Sequence, residues 1–239
     1  MKAETIIINI PTYRTAPSKF VHALIQFFGN MHKFGIKAVV NATDATYVHE
    51  GRNILLRNSV GQLKQRPDIN YVLWIDSDQY WEVQDVVELL EAMQENNIKV
   101  MSGLYLTKSK PFTPVALFKA KKGKYRGNYY MMREYPENKI IEVDAVGFGF
   151  LMIHREVMLK LWNKFGMKTF DYRWTAKGQL LGEDVLACER IRKLGYRIFL
   201  HTGVKIWHLG GDIMPDYIGS GKLGNDGAEG SIETDNKET

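Results

Sequence analysis

Apolar residues along the first hundred positions alternate between two spacings. Thr5–Ile10 (TIIINI) is a short β-branched run closed by Pro11, the pattern of a buried strand. Phe20, Leu24, Phe27, Phe28 and Met31 then recur at helical spacing, with Ser18 placed to cap that helix. Ile36–Asn41 predicts a second strand and Arg52–Gln65 a helix with a weaker stripe. Tyr71–Ile75 (YVLWI) is apolar throughout, as expected of a strand covered on both faces. Val83, Val86, Val87, Leu90 and Met93 form the next helical stripe, and Ile98–Ser102 a fourth strand. Strand and helix take turns, which predicts a parallel, doubly wound α/β sheet.

After Gly103 the rhythm changes. Short strands are predicted at Thr113–Phe118, Gly127–Met132, Lys139–Asp144 and Phe148–His154, separated by glycine and lysine turns. Helices follow at Glu156–Phe165 and Glu183–Leu194, the second ended by Gly195, and then strands at Tyr196–Leu200 and Val204–Trp207. The first half reads as α/β and the second as a mixed extension with antiparallel pieces. No linker separates them, so residues 1–218 are expected to form one domain. Residues 219–239 hold five glycines, five acids, two lysines and no aromatic residue. Such a tail has little apolar surface to offset the entropy of ordering and is expected to be disordered.

Composition narrows the class. The chain has 239 residues, a net charge of +5, 45% hydrophobic and 25% charged residues, ordinary values for a globular protein. No apolar run approaches the roughly 20 residues of a membrane helix. The N-terminal MKAETIIINIP is too short for a signal peptide. A single cysteine, Cys188, excludes an internal disulfide and a thiolate zinc cluster, and a reducing, cytoplasmic setting is expected. With the tail at 2 − 5 = −3, residues 1–218 carry 30 − 22 = +8. Eight of those basic residues, and no acid, lie within Thr107–Arg133, interleaved with Phe112, Phe118, Tyr125, Tyr129 and Tyr130.

Four constellations could carry chemistry. Asp76-Ser77-Asp78 follows the strand YVLWI, at the sheet edge where open α/β folds bind ligands. Two carboxylates there suit Mg²⁺ or Mn²⁺; the plainer account has one of them capping the helix that starts near Glu82. Gly182-Glu183-Asp184 opens a helix, where the dipole favours acids and would keep a general base ionised. His208, followed by Leu209-Gly210-Gly211 after the last strand, is the one histidine placed to sit beside an ion, although a lone histidine is more often structural or exposed. Val146-Gly147-Phe148-Gly149-Phe150 gives a strand with one bare face, open to a ligand or to a tightly packed neighbour. Dinucleotide and P-loop glycine spacings are absent, and no convincing covalent nucleophile stands out.

Taken in order, IPTYR, GRN at Gly51–Asn53, YVLWIDSDQYW, VMSGLYLTK, EVDAVGFGFLMIHREV, GEDVLACERIRKLGYRI and WHLGG cover most of Ile6–Gly211. This set resembles the GT-A nucleotide-sugar glycosyltransferases, especially the family 2-like enzymes of phages and archaeal viruses. The resemblance implies a GT-A (Rossmann-like) fold with a mixed, mostly parallel central sheet flanked by helices. It implies a metal-dependent, inverting transfer from a UDP- or GDP-sugar to an acceptor hydroxyl on a glycan, lipid, protein or nucleic acid, in a host cytoplasm if the gene is viral. Pro11, Thr12 and Tyr13 would border the base, and Arg52 the donor's phosphates or nucleoside. Gly147 and Gly149 would lie along the nucleotide sugar. Asp76 and Asp78 would form the DxD motif holding Mn²⁺ or Mg²⁺, with Asp76 also near the ribose and His208 completing the metal shell. Asp184 would be the catalytic base, with Glu183 as its alternative.

The basic stretch at 107–133 lies outside the common pattern and would provide an anionic surface contact. Rival readings are a non-enzymatic binder of nucleic acid or acidic polymer through that stretch, and a retaining or degenerate transferase. A phosphatase of the haloacid dehalogenase type is disfavoured by Gln79 at the fourth motif position and by the lack of a clean later acidic pair.

Overall fold

In chain order the first half forms β1 (Glu4–Thr12), α1 (Ser18–Asn30), β2 (Ile36–Asp44), α2 (Val48–Gln65), β3 (Ile69–Ile75), β4 (Gln79–Tyr80), α3 (Val83–Glu95) and β5 (Val100–Leu104). The second half adds β6 (Ala116–Lys119), β7 (Tyr129–Met131), β8 (Ile140–Val143), β9 (Ala145–Val146), β10 (Phe150–His154) and α4 (Arg155–Phe165). It ends with β11 (Arg173–Trp174), β12 (Leu180–Leu181), α5 (Glu183–Lys193), β13 (Ile198–Lys205) and β14 (Trp207–His208). This computed structural model describes residues 4–12, 15–45 and 47–210; Tyr13 and the tail at 219–239 lie outside the described residues.

Seven strands form one sheet in the order β2-β1-β3-β10-β5-β13-β8. β1, β2 and β3 run parallel, as do β5 and β13, while β10 and β8 run against them. The sheet is therefore mixed and mostly parallel. A purely parallel doubly wound sheet would have set β3 beside β5. Instead β10 enters between them, pairing Met152 with Leu73 on one side and Met101 on the other. Phe150, Leu151, Met152 and Ile153 are all fully buried, so this strand has no face to offer water and belongs in the middle of the sheet.

Helices cover both faces. Phe20 and Phe27 of α1 and Val86, Leu89 and Leu90 of α3 pack with Ile6, Ile8 and Leu73. Leu55 and Leu56 of α2, Val157 and Leu161 of α4 and Cys188 and Ile191 of α5 pack with Ile7, Trp74 and Leu151 on the opposite face. Each such fully buried side chain stabilises the fold by about 1.5–3 kcal/mol before the cost of ordering it. Among the described residues no helix is long and apolar enough to cross a membrane.

Two local expectations change. Ser18 is the first helical residue of α1 and makes no side-chain cap; Pro17 stands before it, its fixed φ suited to a helix entry. The two strands expected near the end are one strand, β13, whose register to β5 shifts between His201 and Lys205. That irregularity breaks the apolar run in the sequence without ending the strand.

Candidate active site

Asp76 leaves the end of β3 with its backbone N–H bonded to the carbonyl of Gly149, 3.1 Å away. Neither aspartate of the DSD motif caps α3. Glu82 and Asp85 do that between them in a reciprocal capping box, which frees Asp76 and Asp78 for other work. Asp76 accepts from Arg52 Nη2 at 2.9 Å and 3.0 Å, and Arg52 Nη1 donates to Glu183 Oε1 at 2.6 Å. One buried guanidinium thus joins the end of β3 to the start of α5, and its bond to Glu183 spans 131 positions in sequence. Burial alone would lower the Arg52 pKa, but Asp76, Glu183 and Asp184 together raise it, so the cation is permanent. Arg52 is committed to these carboxylates, because two acids at neighbouring element ends require a counter-charge.

Asp78 turns to a different set. Its Oδ2 accepts from Lys108 Nζ at 2.6 Å and lies 3.5 Å from His208 Nε2. Burial would raise this carboxyl, but His208 and Lys108 outweigh it and hold the pKa at about 2. β14 pairs with β4, His208 opposite Gln79, and Leu209 N–H donates to the Asp78 carbonyl at 2.7 Å, which fixes the imidazole beside the motif. His208 Nδ1 lies 2.8 Å from the Leu106 carbonyl, which accepts its N–H and fixes the ring.

The three expected metal ligands do not converge. Among the described residues no group of three or more His, Cys, Asp or Glu is arranged to hold a metal ion. The reason is that Arg52 draws Asp76 toward α5 while Lys108 holds Asp78. A smaller donor set does suit a hard divalent ion. Asp78 Oδ1 is buried with no hydrogen-bond partner among the described residues, and His208 Nε2 faces the same carboxylate. Asp76 keeps spare acceptor capacity beyond its bonds to Arg52.

Asp184 opens α5 beside Glu183, its Oδ1 accepting from Val185 N–H at 2.7 Å. The helix start was expected to keep it ionised. Burial, and then the charge of Glu183, push its pKa up to about 6 against the pull of Arg52. It remains mostly charged at neutral pH, close to the working range of a general base.

Gly147 and Gly149 are buried, and their bare face is filled by Tyr105, whose hydroxyl accepts from Gly149 N–H at 3.0 Å. A Cβ on Gly149 would lie 2.7 Å from Gln79 Nε2 and 2.9 Å from the Tyr105 ring. Both side-chain polar atoms of Gln79 are buried without partners among the described residues. Pro11 and Thr12 close β1, and the Thr12 hydroxyl donates to the Thr43 carbonyl, tying β1 to β2. Lys108, Tyr105, Gln79 and Tyr172 escaped the sequence reading. Lys108 lay inside a run of look-alike lysines, and Tyr105 was signalled only by the bare glycine face that needs a large partner.

The basic stretch folds as β6, β7 and their turn. With α5 it borders an open groove of about 550 Å³. Lys119 and Lys193 pair with Glu189, and Arg192 with Asp144, while Lys121 and Arg126 in that groove have no ion-pair partner among the described residues.

No family model matches the chain, and no curated protein matches it in sequence. Among solved structures it is similar to A197 from STIV, at 18% identity over 88% of this chain and 83% of that one, with a TM-score of 0.49. It is also similar to GalNAc-T7, solved with UDP, GalNAc and Mn²⁺, at 12% identity and a TM-score of 0.54. That match covers 90% of this chain and 46% of the other, so the chain spans just under half the length of GalNAc-T7 as crystallised. The chain has a GT-A-like fold. Within it, the carboxylates of Asp76, Asp78, Glu183 and Asp184 stand at the ends of β3 and the start of α5, which Arg52 joins.

Proposed function

We propose that the chain is a glycosyltransferase that moves a sugar from a nucleoside-diphosphate sugar to an acceptor hydroxyl, with inversion at the anomeric carbon. The observation that carries this reading is the Asp76–Arg52–Glu183 bridge. It sets a strand-end acidic motif and a helix-start acidic motif side by side on a GT-A-like fold. Support also comes from GalNAc-T7, which has that fold and was solved with UDP, GalNAc and Mn²⁺.

In this reading the two acidic sets divide the chemistry. Asp78 and His208 would hold Mn²⁺ or Mg²⁺ together with the donor diphosphate. Such an ion stabilises the negative charge that develops on the leaving diphosphate. Asp184 takes the proton of the acceptor hydroxyl as its oxygen bonds to the anomeric carbon and the bond from that carbon to the phosphate oxygen breaks. Glu183 holds Arg52, which holds Asp76, so Glu183 and Arg52 are positioning residues. Gly147 and Gly149 shape the floor through Tyr105 and the bond from Asp76 to the Gly149 carbonyl. Pro11, Thr12 and Tyr13 would border the base.

Calorimetry with UDP and GDP, each with and without Mn²⁺, tests the assignment. One nucleotide is expected to bind only with the metal. Asp78→Asn should abolish that binding while the circular dichroism and melting curve stay those of a folded protein. Metal-dependent binding that survives Asp78→Asn removes Asp78 from the site.

A further inference from the structure

The ribbon that leads into α5 carries an aromatic surface that the reaction above does not use. In β11 and β12, Arg173 pairs with Leu181 and Trp174 with Leu180. Leu181 is 2% exposed and anchors one face to the body, where Arg173 Nη2 also reaches Glu189 at 2.7 Å with its side chain 46% exposed. Trp174 is 66% exposed and Leu180 50%, so the other face is open. Alternation along an extended chain puts Tyr172, 44% exposed, on the same side as Trp174.

Tyr172 marks where that side leads. Burial and the charge of Glu183, next to Asp184, raise the pKa of its hydroxyl. Its ring lies 5.2 Å from that of His49, which lies 5.8 Å from Tyr47, itself 60% exposed. His49 Nδ1 is buried with no hydrogen-bond partner among the described residues. Tyr172 thus links the open side of the ribbon to the Tyr47–His49 pair and to the start of α5. Leu180, the partner of Trp174, lies four positions before Asp184, at most about 14 Å of chain.

Resting on the transferase reading, we propose that this surface binds the acceptor and that the acceptor is a neutral oligosaccharide. Tyr172 and Trp174 stack on the C–H faces of successive sugar rings. Pyranose rings offer a flat apolar face edged with hydroxyls, which matches exposed aromatic rings on an open ribbon. Charge points the same way. Exposed Asp171 accepts from Tyr172 N–H at 2.8 Å, and Arg173 is paired with Glu189, so an anionic acceptor would meet the Asp171 carboxylate. A lipid chain would require an enclosed groove, whereas Trp174 and Leu180 sit on an open ribbon.

The probes are cellobiose, lactose, diacetylchitobiose and mannobiose, with phosphatidylcholine vesicles as the lipid arm. Each is measured by calorimetry and saturation-transfer NMR, without and with UDP or GDP plus Mn²⁺. At least one disaccharide is expected to bind, with its strongest transfer at the ring protons of one face. Trp174→Ala should weaken that binding at least about tenfold. Trp174→Phe, which keeps an aromatic face, should stay within about threefold of wild type. Melting curves establish that both variants are folded. Absence of disaccharide binding, binding unchanged in Trp174→Ala, or capture of vesicles in place of sugars overturns the proposal. Failure of both nucleotides to bind, with Trp174-dependent sugar binding intact, overturns the transferase reading and leaves this sugar surface standing.

Discussion

Asp184 and Glu183 are neighbours with different work. Glu183 is held by Arg52 at 2.6 Å, whereas the pKa of Asp184 is raised to about 6 by burial and by Glu183 itself. Asp184→Asn keeps the shape and removes the proton acceptor, so kcat is expected to fall at least about a hundredfold with nucleotide affinity little changed. Glu183→Gln should be milder in kcat and should loosen nucleotide binding, because Arg52 then holds Asp76 less firmly. Steady-state kinetics on both variants separate the roles; a near-normal Asp184→Asn with an inactive Glu183→Gln would make Glu183 the base. The wild-type kcat/KM profile should rise through about pH 6 as Asp184 loses its proton. Stability has the opposite sign. A carboxyl raised from 3.8 to about 6 binds more protons folded than unfolded between those values, so its contribution falls as pH increases across that window. The advantage of Asp184→Asn in melting temperature should therefore grow from pH 4 to pH 6.

At the scale of elements, the strand that begins at Phe150 depends on the bare residues just before it. A Cβ at Gly147 would strike the Tyr105 hydroxyl and lie 2.8 Å from Val115 Cγ1, with all three residues packed together. Gly147→Ala is expected to destabilise by about 1–3 kcal/mol in urea melts. Gly61→Ala is the control: nothing lies within 4 Å of its Cβ position in α2, and it should be stabilising by about 0.5–1 kcal/mol. The β6–β7 ribbon makes a separate prediction. Lys121→Gln with Arg126→Gln should weaken retention on immobilised heparin and flatten its salt dependence. Donor hydrolysis should stay at the wild-type rate, and a parallel loss of hydrolysis would place the ribbon on the donor side.

For the whole molecule, the site is held by groups drawn from distant parts of the chain, so a ligand that spans them should stabilise the fold as a unit. The correct nucleotide with Mn²⁺ at about 100 times its Kd should add about 2.7 kcal/mol, read as a rise in melting temperature. Neither component alone should produce that rise. Equal shifts with and without Mn²⁺ would show nucleotide binding without the metal.

The sequence by itself determined what depends on local periodicity. The strand runs TIIINI and YVLWI, the helical stripe from Val83 to Met93 and the helix start at Glu183 all occur where apolar spacing and end signals predict them. It also singled out Asp76, Asp78, Glu183, Asp184 and His208 as candidates for chemistry, from acids at strand and helix ends and a histidine after the last strand. Tertiary structure decided who faces whom. Nothing local in Phe150–His154 says that it enters between β3 and β5 in the antiparallel sense; that follows from burying both of its faces at once. Nothing near Arg52 says that it will join Asp76 to Glu183, since an ion pair across 131 positions exists only once α2, β3 and α5 are packed. The same holds for the separation of Asp76 from Asp78. Two residues apart in the chain, they take different cationic partners, Arg52 and Lys108, because the fold brings a different charge to each.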